Sequence, residues 1–156
     1  MAAMSLETWC GLTGAWRATY SLRGDPSFDG DSPSDAVVTP LLGGRFVRID
    51  YTWSDRGEPQ AGEMLIGFES APGLVTVVWI DSWHNGVRML ISTGSLDQGR
   101  VIDVRGVYPT GVDSPDWSWR TRLEASASSW TMTMFNVSPD GDETLAVSAR
   151  YERVSP

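Results

Sequence analysis

The feature that most constrains this chain is a two-residue alternation of apolar and polar side chains, renewed in short runs and closed by Gly, Pro, Asp, Asn or Ser. Runs of this kind, rich in β-branched and aromatic residues, cover Gly14–Leu22, Ala36–Leu41, Arg45–Trp53, Gly62–Glu69, Leu74–Asp81, Val87–Thr93, Arg100–Tyr108, Ser118–Ala125, Trp130–Asn136 and Thr144–Val154. A period of two places successive side chains on opposite faces of an extended strand, so the pattern predicts an all-β chain of about ten strands.

The connections carry turn chemistry and are short, as in Ala71-Pro72-Gly73, Trp83-His84-Asn85-Gly86, Asp97-Gln98-Gly99 and Ser138-Pro139-Asp140-Gly141. Links this short join antiparallel neighbours and predict an up-and-down meander. A meander of so many twisted strands removes its two exposed edges by closing into a barrel. Helix is expected only at Ser5–Leu12, with Ser5 as its cap, as a plug or lid at one end. The stretch Arg23–Asp35, rich in Asp, Ser, Pro and Gly, is expected to form a mobile loop.

A length of 156 residues suits one domain over 1–156, with residues 1–13 as helix or plug and 14–154 as barrel. The net charge of −8 opposes binding to nucleic acid or to an anionic membrane, both of which require a basic surface. All twelve basic residues are Arg, which excludes lysine chemistry. A single cysteine, Cys10, excludes an intrachain disulfide. With no signal-like start and no long apolar run, the expected location is the cytoplasm.

Four motifs stand in order: Gly14-Ala15-Trp16, Leu42-Gly43-Gly44-Arg45-Phe46, Trp79-Ile80-Asp81-Ser82 and Tyr151-Glu152-Arg153. Their spacing resembles the bacterial domain-of-unknown-function family numbered 1579, and Gly14-x-Trp16 is similar to the opening of lipocalin-like (calycin) and fatty-acid-binding-protein-like barrels. The resemblance implies that Arg153 packs across Trp16 to close the barrel floor. Gly43-Gly44 read as a tight hairpin with positive φ, after which Arg45 starts a strand.

In a barrel alternate residues point inward, and parity therefore selects candidates for a cavity lining. On the fifth strand Val75, Val77, Trp79 and Asp81 form the set that puts a carboxylate beside aromatics. Tyr51 and Trp53 group with Val47 and Ile49, Met89 with Val87 and Ile91, Trp117 with Trp119, and Trp130 with Met132 and Met134. The candidate ligand-binding set is Tyr51, Trp53, Trp79, Asp81, Met89, Trp119, Met132 and Met134, since large aromatics and adaptable Met around a few polar groups suit a small-molecule pocket. The plainer expectation is that these residues only fill a solid core.

Asp81, if buried, must be paired or hydrogen-bonded; Arg48, Arg88, Arg120, Arg122 and Arg150 are its expected partners. The alternative makes it a catalytic acid or base, or a polar hook for a ligand. His84, the only histidine, stands in a turn and is expected to be solvated. One His and one distant Cys cannot build a metal site, and no cofactor is expected. Related barrels hold haem through a histidine near the chain's end, where this chain has Arg150, Tyr151 and Arg153 instead. No serine-hydrolase elbow is present, and the acidic run from Asp25 to Asp35 lacks the spacing of a calcium loop.

These readings support a binder of a small hydrophobic molecule held inside the barrel. The rivals are a cofactor-free isomerase, cyclase or hydrolase using Asp81, and a solid barrel acting through its surface or as a homodimer.

Overall fold

A computed structural model describes residues 4–155. A short helix, α1 (Glu7–Cys10), precedes ten strands: β1 (Gly14–Leu22), β2 (Gly30–Leu41), β3 (Phe46–Asp55), β4 (Glu58–Glu69), β5 (Leu74–Asp81), β6 (Leu90–Asp97), β7 (Val101–Tyr108), β8 (Trp117–Ala125), β9 (Ser129–Val137) and β10 (Glu143–Arg153). Each pairs antiparallel with its neighbours in sequence, and β1 pairs with β10 to close the barrel. The expected meander therefore forms, without an edge.

Alternation sorts the side chains as the pattern predicts on most strands. Val47, Ile49, Tyr51 and Trp53 of β3, Val75, Val77, Trp79 and Asp81 of β5, and Trp130, Met132 and Met134 of β9 are all buried. Leu42, Gly43 and Gly44 all have positive φ, making the predicted tight link, with β3 starting one residue after Arg45.

Two segments correct the sequence reading. The expected loop Arg23–Asp35 ends early, because Gly30–Asp35 is the first half of β2, paired with Arg17–Leu22. Its outward acids meet arginines, Asp35 with Arg17 and Asp31 with Arg23, while the buried Ser34 hydroxyl lies 2.7 Å from that of Tyr151. The sixth strand begins at Leu90 rather than Val87, and its buried positions are Leu90, Ser92 and Leu96. Val87, Met89 and Ile91, expected inside, are exposed.

One end of the barrel is a floor. Trp9 of α1 donates through Nε1 to the Arg100 carbonyl (3.2 Å) and packs edge-on against Trp130. Trp16 donates to the Leu12 carbonyl at 2.8 Å. The Arg153 guanidinium sits 4.3 Å from the Trp16 ring centre, opposite it in the β1–β10 register, and also donates to the Thr13 carbonyl. The closure implied by the family resemblance is present.

Candidate functional site

At the opposite end, where β1, β5, β7 and β9 finish, the barrel opens into a cavity of about 410 Å³. Its wall is built from Trp79 of β5, Leu90 of β6, Tyr108 of β7, Trp119 of β8, and Trp83, His84 and Arg88 from the β5–β6 loop. Phe28, from the β1–β2 loop, meets Trp83 edge-on at 5.3 Å and completes one side. A bulge between Leu145 and Val147 in β10 shifts the ladder, and Ala146 lines the cavity there.

Beneath this cavity Asp81 holds the local structure together. Its Oδ1 accepts from the backbone N–H groups of Trp83 (2.9 Å) and His84 (3.0 Å) and from His84 Nδ1 (3.1 Å). Its Oδ2 accepts from the Tyr51 hydroxyl (2.7 Å) and Trp53 Nε1 (3.1 Å). A carboxylate bonding to the N–H groups two and three residues onward is an Asx turn, and it fixes the path of the loop that carries Trp83 and His84. Trp79 Nε1 donates in turn to the Tyr51 oxygen at 2.8 Å.

Burial by itself would push the Asp81 carboxyl up. Hydrogen bonds and charge from His84, with the bond from Tyr51, outweigh it and hold the group below the usual aspartate range. Burial pushes the Tyr51 phenol well up, as do Tyr20 and the Asp81 charge, so Tyr51 remains a donor. With Asp81 ionised and able only to accept, His84 Nδ1 must carry a proton. In the neutral imidazole this leaves Nε2 as a bare acceptor.

The His84 ring, whose side chain is 6% exposed, is surrounded by indoles, with centroids at 4.8 Å for Trp83, 5.4 Å for Trp79 and Trp119, and 5.6 Å for Trp53. Its Nε2 is buried and has no hydrogen-bond partner among the described residues, and the same holds for Trp119 Nε1. An unmet buried donor or acceptor costs about 1–3 kcal/mol. Both residues line the cavity.

Of the candidates read from sequence, Trp79 and Trp119 line the cavity. Tyr51, Trp53 and Asp81 lie behind His84 as its support, and the Asp81 side chain has no exposure. Met132 and Met134 are fully buried and pair across the sheet with Leu123 and Thr121, away from the cavity wall. Met89 faces solvent, because β6 starts at Leu90, whose side chain takes the inward position.

Two expectations about polar groups are overturned. Among the described residues no arginine bonds to Asp81; its partners are neutral donors and His84. His84 is enclosed rather than solvated. Trp83, Tyr108 and Phe28 also line the cavity, and they stand in or beside loops, where alternation gives no signal. The available clue was Asp81 itself, standing two and three residues before Trp83 and His84 as an Asx turn requires. Among the described residues no three His, Cys, Asp or Glu side chains gather as a metal site, and no helix is long and apolar enough to cross a membrane.

The model of a family described as Protein of unknown function (DUF1579) matches residues 8–153. Comparison with curated proteins gives no match. Among solved structures, the crystal structure of Rv2717c from M. tuberculosis superposes with a TM-score of 0.65 at 15% identity, covering 96% of this chain and 97% of that one. At that identity the likeness shows a shared fold alone.

Proposed function

Since the chain belongs to the DUF1579 family of proteins of unknown function, whose description assigns no activity, we propose from the mouth cavity that it binds a small, mainly apolar molecule, in the manner of the lipocalin-like barrels. The observation that carries this reading is a cavity of about 410 Å³ walled by Trp79, Trp83, Trp119, Tyr108, Phe28 and Leu90. That volume lies in the range of small-molecule sites, and an aromatic wall with a few polar groups is their usual composition. The binding zone is the barrel mouth, while the floor half is filled by Trp9, Trp16, Trp130 and Tyr151.

Titration with a neutral apolar fluorophore, N-phenyl-1-naphthylamine, tests this. Saturable binding of one probe per chain with quenching of tryptophan emission is expected. Emission that falls only linearly with added probe, without saturation, would exclude the cavity as a binding site.

The Asp81–His84 pair favours a second reading, a cofactor-free isomerase, cyclase or hydrolase. In it His84 meets the substrate as acid or base, and Asp81 acts as the residue that positions it. Turnover lost in Asp81→Asn with probe binding retained would select this reading.

A further inference from the structure

We infer that the molecule held in the mouth cavity is a hydroxylated aromatic compound whose hydroxyl group lies between His84 and Trp119, donating to His84 Nε2 and accepting from Trp119 Nε1. This rests on the reading of the cavity as a small-molecule site and names the class of its ligand. Three observations converge on it. His84 Nδ1 is committed to Asp81 at 3.1 Å, so the neutral imidazole presents Nε2 as an acceptor. Trp119 Nε1 can only donate. Both atoms are buried without partners among the described residues, on rings whose centroids are 5.4 Å apart in an edge-on arrangement.

One unpartnered acceptor and one unpartnered donor on neighbouring rings select by elimination. A carbonyl would satisfy Trp119 and set its lone pairs against Nε2; an ether would do the same. An amine cation would satisfy His84 and leave the indole N–H facing a group that cannot accept. A hydroxyl oxygen offers one hydrogen and two lone pairs, and so meets both with a single atom. The remaining wall, Trp79, Trp83 and Tyr108, gives flat faces against which an aromatic body can pack. A site with buried hydrogen-bonding groups rejects analogues that lack the matching group more strongly than an apolar wall rejects a change of size.

The test is calorimetric titration of the intact protein with 2-naphthol, 2-methoxynaphthalene and naphthalene, repeated on Trp119→Phe. The expected order places 2-naphthol about tenfold or more above both analogues, and in Trp119→Phe the ratio of 2-naphthol to naphthalene affinity, in which any loss of wall area common to both ligands cancels, shrinks to about threefold. Equal binding of 2-naphthol and its methyl ether would overturn the inference and leave the cavity standing as an unselective apolar site. If none of the three titrates, the cavity reading itself fails and takes this one with it. Should the variant not fold, the ligand series on the unmodified protein still decides.

Discussion

The Tyr51 hydroxyl reaches Asp81 Oδ2, 2.7 Å away, by lying across the bare α-carbon of Gly62. Gly62 stands between them in the sheet, opposite Tyr51 on one side and Asp81 on the other. A Cβ at position 62 would stand inside the contact distance of the Tyr51 ring carbon Cζ and of its oxygen. The bond that supports the site is thus made possible by an absent side chain on β4, which lies between the tyrosine on β3 and the aspartate on β5.

Gly62→Ala is expected to displace Tyr51, break its bond to a buried carboxylate and destabilise the protein by about 2–4 kcal/mol. Gly67→Ala on the same strand is the control. There a Cβ would meet only the half-exposed Phe46 ring, 3.1 Å away, and the cost should be smaller. Urea unfolding of the two variants measures the difference.

The Asp81 carboxyl is held below its ordinary value in the folded protein. A carboxyl of this kind contributes stability that is present above its unfolded pKa, about 3.9, and is lost as pH falls through the lower folded value. The urea midpoint should therefore drop on acidification below about pH 4. In Asp81→Asn, which puts a side-chain NH₂ among groups that all donate, stability should be lower by about 3 kcal/mol at neutral pH. The acid-dependent loss should also be smaller in that variant.

Arg153 closes the floor through its guanidinium over Trp16 and its bond to the Thr13 carbonyl. Arg153→Met keeps much of the apolar stem and removes both contacts. A loss of about 1 kcal/mol is expected, with probe binding at the distant mouth unaffected, which separates floor from site.

Ala146 stands at the bulge of β10 and lines the cavity. Ala146→Phe places a ring in the space itself. Affinity for N-phenyl-1-naphthylamine should fall about tenfold or more, while the melting temperature moves by only a few degrees. Thermal scans and the probe titration on one preparation compare the two effects.

The strands were legible wherever an apolar alternation ended in turn residues, as at Leu74–Asp81, which the structure reproduces residue for residue. Gly30–Asp35 was hidden because its outward Asp31 and Asp35 are paired with arginines on the neighbouring strand and loop, and its inward Ser34 is satisfied by Tyr151. Alternation cannot see such partners. Val87, Met89 and Ile91 misled for the opposite reason. They are apolar residues spaced by two, and that spacing says which residues share a face without saying which face is inside. At the site, the inward set Trp79 and Asp81 followed from parity, whereas the enclosure of His84 followed from an Asx turn and four indoles drawn from three separate segments. Only the closed barrel brings them together.

The most direct test of the mouth cavity as the binding site is an NMR titration that follows the indole N–H resonances, assigned by single Trp→Phe variants, as 2-naphthol is added. Saturable shifts are expected for Trp79, Trp83 and Trp119, and still signals for Trp9 and Trp16, whose indoles are bonded to the Arg100 and Leu12 carbonyls at the floor. Shifts confined to Trp9, Trp16 and Trp130, or no saturable shift at any of the three mouth residues, would contradict it.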